Sequence, residues 1–451
     1  MDIRITGAPS GGEVKAIPSK SAAHRVMIAA AMSGIDLAEH LDGLSEDITA
    51  TKRCLQAMTA ADVLSGAGEQ SDAVSDAATD AVQLPCGESG STLRFLIPLA
   101  GVLGIRADFL CEGRLPDRPM EPLLEALSEH GCTVSGRNPK QLSGRLTGGE
   151  FRLPGNVSSQ YVTGLLMALP LAEADSRIVI EGDLQSRPYI DLTLSVLAKA
   201  GLKILETAAG SESMPAPGTV FFVPGGQRYE LPEAELEAVE GDWSNAAFWL
   251  TMDAMNQDRG RSGIHCTGLD PMSRQGDRQI VPILERMRAA DALAYTDGMH
   301  RSADGMPEGG LDISVRGRSA FVEIDASDIP DLVPIISAFA SGRPRGAVTH
   351  IVKAGRLRLK ESDRLASVTQ TLRDLGADIT EEPEGLMIRG SGRLYGGEVS
   401  SHGDHRIVMM AAACACITEG EIVIHGAEAV NKSYPRFFED YRKLGGQWEW
   451  L

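Results

Sequence analysis

The chain of 451 residues is 43% hydrophobic and 23% charged, a globular composition long enough for two or three domains. A formal net charge of −19 opposes nucleic acid and anionic membrane as partners, because both are held mainly through phosphate neutralisation. The start, MDIRITGAPSGGEV, lacks the basic and then apolar order of a signal peptide, and the longest purely apolar run, Ile407 to Ile417, is far below the ~20 residues of a membrane span, so a cytoplasmic protein is expected.

Taken in chain order, one pattern returns six times: a small or polar loop that runs straight into an Ala-rich apolar helix. The copies are IPSKSAAHRVMIAAAMSG from 17, LPCGESGSTLRFLIPLAGV from 84, LPGNVSSQYVTGLLMALPLAEA from 153, VEGDWSNAAFWLTMDAM from 239, IDASDIPDLVPIISAFASG from 324 and SSHGDHRIVMMAAACACITEG from 400. Their spacing exceeds that of solenoid repeats, so each copy is read as a small α/β unit. A second, amphipathic set lies between them, usually ending in Gly before a β-type run: MEPLLEALSEHGCTV, LTLSVLAKAGLKI, LASVTQTLRDLGADI and FFEDYRKLGGQW, with ATKRCLQAMTAADV and ILERMRAADALAY as weaker copies. Runs such as SRIVIEGD and GEIVIHGA supply strands. The segment 66–81, small, acidic and without period, reads as a solvated loop.

Ser21, Ser91, Ser159, Ser244 and Asp325 or Asp404 are expected at the helix starts, where orphan N–H donors gather. Several such ends aimed into one cleft would create a positive field for anions. Capping alone explains any single copy equally well, so the residues beyond capping must decide. Lys20, Ser21 and Arg25 share one side of the first helix start. CGESGSTLRF is Gly-rich but lacks the GK[ST] ending of a nucleotide-binding P-loop. Ser158, Ser159, Gln160, Ser186, Arg187 and Tyr189 offer hydroxyls, an amide and a guanidinium suited to a phosphorylated polyol. Arg356 to Arg364 packs six charges into nine positions, for which an ion-paired exposed helix is an equal explanation. Asp404, His405 and Arg406 stand against an apolar helix, where ionisable groups are costly without purpose. The seven cysteines are scattered, as reduced core thiols would be, and no metal-ligand spacing occurs.

The motifs KSAAHR, GESGSTLR, LPDRPM, SSQ, SRPY, KESDR, GDHR and NKSYPRF, in this order over nearly the whole chain, resemble the 5-enolpyruvylshikimate-3-phosphate synthases (3-phosphoshikimate 1-carboxyvinyltransferases). The resemblance implies an α/β fold of two similar domains, each of three βαβαββ repeats in an inside-out α/β barrel, with the active site in the interdomain cleft. One domain would be discontinuous, 1–16 plus 235–451, and the other would be 17–234. It implies transfer of the enolpyruvyl group of phosphoenolpyruvate to the 5-hydroxyl of shikimate 3-phosphate, in the shikimate pathway of aromatic amino acid biosynthesis, by a monomer without metal or organic cofactor. Carried to matching positions, the shikimate 3-phosphate contacts are Lys20, Ser21, Arg25, Ser158, Ser159, Gln160, Ser186, Tyr189, Asp331 and Lys360. The phosphoenolpyruvate contacts are Lys20, Gly90, Arg118, Gln160, Arg364, His405, Arg406 and Lys432. Lys20, Asp331 and Glu361 are the catalytic groups.

Glu88, Phe95 and Arg356 depart from the family pattern, which commonly has Asn, Pro and Asn there. Gly90 is kept, so the inhibitor glyphosate, which occupies the phosphoenolpyruvate seat of sensitive members, is expected to fit. The sister UDP-N-acetylglucosamine 1-carboxyvinyltransferases follow the N-terminal Lys with Asn and carry a mobile-loop cysteine. Here Ser21 follows Lys20, and GRLPDRPM has no cysteine. A non-catalytic repeat scaffold or an RNA-end-processing protein is opposed by the basic residues at helix starts and by the net charge.

Overall fold

The computed structural model describes residues 1–38, 40, 45–60, 81–209, 218–300 and 320–451. The acidic run from 66 therefore lies outside the described residues, apart from Ala81. Contacts divide the chain into two compact units: Met1–Ile17 with Trp243–Leu269 and Asp277–Leu451, and Pro18–Asp242 with Asp270–Gly276.

In the unit built on Pro18–Asp242, two four-stranded sheets have the same order. In one, Val82–Gly87 runs parallel to Ala107–Cys111, which is antiparallel to Lys140–Gly144, itself antiparallel to Cys132–Ser135. In the other, Glu150–Pro154, Ser176–Glu181, Gly218–Val223 and Leu205–Ala209 repeat that order. The chain path is strand, buried helix, strand, amphipathic helix, and then a hairpin. The buried helices Lys20–Met32, Gly90–Val102 and Ser159–Ala168 are apolar nearly all round because they lie in the core. Each fully buried Leu or Phe there contributes ~1.5–3 kcal/mol.

The other unit repeats the scheme twice in full. Phe321–Asp325, Val348–Val352, Gly385–Arg389 and Asp378–Glu382 form one sheet. In the second, Leu394–Ser400 runs parallel to Thr418–His425, and the N-terminal strand Ile3–Gly7 inserts between Thr418–His425 and Gln447–Trp450, with Ile3 opposite Ile424. The last repeat is thus completed by the first strand of the chain. Gly12–Lys15 pairs in parallel with Ile264–Thr267, and the long excursion through the Pro18–Asp242 unit stands between them in sequence.

The amphipathic helices Glu121–Glu129, Arg187–Lys199, Arg364–Asp374 and Phe437–Lys443 are followed by Gly131, Gly201, Gly376 and Gly445 at φ +93°, +79°, +86° and +89°. This left-handed turn ends the helix, and it is the reason for the recurrent Gly.

The unit boundary falls at 242/243 rather than at 234/235. Leu236 is buried in the core of the Pro18–Asp242 unit, and the Ser19 backbone N–H donates to the Glu240 carbonyl at 2.8 Å. Residues 270–276 also belong there, because the Gln275 amide accepts from the Ser19 hydroxyl and donates to the Gly241 carbonyl. Among the described residues, no helix is long and apolar enough to cross a membrane, and no group of three or more His, Cys, Asp or Glu is placed to hold a metal ion.

Candidate active site

The expected site residues fall into two groups, one in each unit. In the Pro18–Asp242 unit they gather at helix starts, with the caps one or two residues earlier than the sequence suggests. Ser19, Ser89 and Ser158 have extended backbones, and their side-chain oxygens accept from the backbone N–H groups of Ala22, Thr92 and Gln160. A cap must lie outside the helix with its oxygen reaching two or three residues forward, so Ser21, Ser91 and Ser159 sit inside the first turn instead. In the other unit Asp404 caps His405–Cys414, Asp325 ends a strand and accepts from the Ser327 N–H, and Ser244 lies within the first turn of Trp243–Gln257.

Arg25 is 3% exposed, and its guanidinium ties three elements together. Nε donates to Thr193 Oγ1 at 2.8 Å, Nη1 to the Ser21 carbonyl at 2.5 Å, and Nη2 to the Tyr189 carbonyl at 3.0 Å. The Phe95 ring lies 5.2 Å from Cζ. Burial among neutral oxygens pushes its pKa down to about 10. Thus Ser21, Arg25 and Tyr189 are brought together. Ser186 precedes helix Arg187–Lys199 at φ +57°, and its carbonyl accepts from the Tyr189 N–H. A non-glycine residue held in this conformation costs about 1–3 kcal/mol and is commonest at functional sites.

Gly90, Arg118 and Gln160 form a second knot around Arg94. Arg94 Nη1 donates to Gln160 Oε1 at 3.1 Å, and the Gln160 amide donates to Ser91 Oγ at 3.0 Å. A Cβ on Gly90 would lie 2.5 Å from Arg94 Nη1 and 2.9 Å from Arg118 Nη1, so glycine is what lets both guanidiniums rest on this helix start. Lys20 begins its helix with its ammonium 2.8 Å from Asp47 Oδ2.

In the other unit, Arg364 is the hub. It is 1% exposed, and it gives Nε to Asp404, Nη1 to Asp331 and Nη2 to Glu361, each at 2.8 Å. Arg406 Nη2 donates to the other Asp331 oxygen at 3.0 Å, and Lys360 Nζ stands 3.9 Å from Asp331. Three carboxylates therefore face three cations. Burial opposes the charged form of Asp331, but Arg406, Lys360 and Arg364 outweigh it and hold the carboxyl well below the usual range. Burial lowers the Lys360 ammonium to about 8, against the pull of Asp331. Arg364 is also opposed by burial, yet Asp404, Glu361 and Asp331 raise its pKa above the ordinary value. His405 is 2% exposed beside Asp404, and Lys432 is buried at the end of the turn Ala427–Lys432, which packs on helix His405–Cys414. Arg356, one of the departures from the family pattern, donates to the Ser327 carbonyl.

Sequence reasoning missed Arg94, Asp47 and Thr193 as parts of these groups. Arg94 had a signal: it is the lone charge in the apolar helix Gly90–Val102. Asp47 had none, since an acid in the first turn of an amphipathic helix looks like ordinary dipole compensation.

Three comparisons bear on this arrangement. A model of the EPSP synthase (3-phosphoshikimate 1-carboxyvinyltransferase) family matches residues 6–441. Proteins named 3-phosphoshikimate 1-carboxyvinyltransferase from Clostridium kluyveri and Clostridium acetobutylicum are 40% and 37% identical to the chain, covering 97% and 98% of it and 95% and 97% of their own lengths. The 2.37 Å structure of EPSP synthase from Acinetobacter baumannii covers all of both chains with a TM-score of 0.66 at 22% identity, a likeness of fold.

Proposed function

The chain belongs to the EPSP synthase family, and on that premise we propose that it transfers the enolpyruvyl group of phosphoenolpyruvate to the 5-hydroxyl of shikimate 3-phosphate, with release of phosphate. Its two compact units serve as the two domains. Lys20, Ser21, Arg25, Ser158, Ser159, Gln160, Ser186 and Tyr189, with Asp331 and Lys360, hold the phosphorylated acceptor. Gly90, Arg118, Arg364, His405, Arg406 and Lys432, with Lys20 and Gln160, hold phosphoenolpyruvate.

The chemistry requires two proton carriers. Carbon 3 of the enol gains a proton, the cation-like carbon 2 is attacked by the 5-hydroxyl as that hydroxyl loses its proton, and a tetrahedral adduct forms. The adduct then expels phosphate as the new methyl group gives up a proton. Glu361 acts at the methyl carbon, Asp331 acts on the hydroxyl, and Lys20 is the third catalytic group.

The observation that carries the reading is that both Asp331 oxygens are held by Arg364 and Arg406, the guanidiniums assigned to the phosphoenolpyruvate carboxylate. An arriving carboxylate competes with Asp331 for these donors, and as Asp331 loses them it becomes a better base. Arginine and lysine also stabilise the departing phosphate.

The test mixes purified protein with phosphoenolpyruvate and shikimate 3-phosphate, without added metal, and follows phosphate release, with UDP-N-acetylglucosamine as the parallel acceptor. Release only with shikimate 3-phosphate is expected. Release only with the sugar nucleotide would move the chain to the sister activity, and silence with both from folded protein would reject enolpyruvyl transfer.

A further inference from the structure

Lys20 is met by a carboxylate to which the preceding roles give no part. Its Nζ lies 2.8 Å from Asp47 Oδ2, the lysine side chain being 18% exposed and the aspartate 8%. Lys20 opens helix Lys20–Met32, where the positive end of the backbone dipole disfavours an ammonium. Asp47 lies in the first turn of helix Glu46–Ala60, where the same effect favours a carboxylate. The neighbouring helix thus delivers the compensation that Lys20 lacks within its own.

One turn further along both helices stands a second rung. His24 and Thr51 are each four residues beyond Lys20 and Asp47, so they share those faces. His24 Nδ1 is 2.8 Å from Thr51 Oγ1, Thr51 is 2.6 Å from Thr92 Oγ1, and the Thr92 hydroxyl donates to Ser89 Oγ at 2.7 Å. All four side chains belong to residues no more than 1% exposed. Burial pushes the His24 pKa down to about 3, so this rung is uncharged. Ser89 is the cap of the helix that opens with Gly90, so the rung ties together three helix starts: those of Lys20, Asp47 and Gly90.

We propose that Asp47 is the positioning residue for Lys20: its carboxylate holds the ammonium at the helix mouth, and the buried His24–Thr51–Thr92–Ser89 rung sets the helix spacing that makes the contact. The inference rests on the role of Lys20 in enolpyruvyl transfer.

Two isosteric comparisons test it, Asp47→Asn against wild type and Asp47→Gln against Asp47→Glu, each read as kcat with phosphoenolpyruvate and shikimate 3-phosphate and each repeated on the Lys20→Met protein. A lysine released from its partner is misplaced, and the neutral member of each pair should lose kcat on the order of 10²-fold. The same change made on Lys20→Met should cost almost nothing, because the two residues act as a unit. If Asp47→Asn does not fold, the Glu and Gln pair carries the comparison at one side-chain length. Equal kcat within a pair overturns the proposal, as does an undiminished loss on Lys20→Met. Silence of the wild-type protein with both substrates would instead remove the reading of function, and with it the role given to Lys20.

Discussion

Arg25 and Arg364 are both buried guanidiniums near a helix start, yet their surroundings differ in kind. Arg25 bonds hydroxyl and carbonyl oxygens, whereas every nitrogen of Arg364 meets a carboxylate. A cation buried among neutral oxygens keeps its charge available to an anion. A cation that balances Asp331, Glu361 and Asp404 instead holds proton carriers in fixed places. In the proposed function the first arrangement belongs to binding of the phosphorylated acceptor, and the second to the phosphoenolpyruvate and proton-carrying groups.

The comparison breaks most sharply at the carboxylates. Glu361→Gln and Asp331→Asn should each lower kcat by roughly 10²–10⁴-fold in steady-state assays, the range of a lost general acid or base, and Asp331→Asn should also raise KM for shikimate 3-phosphate. A fall in KM-linked affinity alone would place these residues in binding. Replacing the hub should act on folding: Arg364→Leu takes the guanidinium away from the fully buried Asp404 and from the partly buried Glu361 and Asp331, and thermal unfolding should report a loss of about 3–5 kcal/mol.

Arg25→Lys sharpens the other side. An ammonium cannot reproduce the guanidinium fork, so KM for shikimate 3-phosphate should rise by about tenfold or more, roughly 1.4 kcal/mol, while Glu361 chemistry persists. Gly90→Ala should displace Arg118 and Arg94 and cost about one charge-assisted hydrogen bond, ~1.5–3 kcal/mol, read as a higher KM for phosphoenolpyruvate with kcat retained.

The smallest effect is a pH dependence. Lys360, lowered to about 8 from 10.5, loses its proton in the folded protein before the unfolded chain does. KM for shikimate 3-phosphate should therefore rise above pH 8, and Lys360→Met should flatten that rise. Between those two values the unfolded state binds more protons, so this group makes stability increase with pH. Asp331 behaves in the familiar carboxylate sense: its pKa lies below 3.8, so its contribution is present above that value and is lost as pH falls through the folded one.

Much of this was legible because the repeat is periodic. The buried helices, the Gly-terminated amphipathic helices and the strands such as Ser176–Glu181 stand where hydrophobic patterning put them. The caps were misplaced by one or two residues because SKS, GESGS and VSSQ offer several serines, and only backbone geometry selects one. Ionisable residues set against an apolar helix flagged Arg406, and would have flagged Arg94 by the same logic.

The repeated α/β unit and the family were legible in the chain alone, because composition, period and ordered motifs need no tertiary contact to be read. Tertiary structure decided that Ile3–Gly7 completes the last sheet, that Asp47 meets Lys20, and that one arginine binds three carboxylates from Asp331, Glu361 and Asp404. Such pairings join residues up to hundreds of positions apart, and no local propensity encodes which distant partner a buried charge will find.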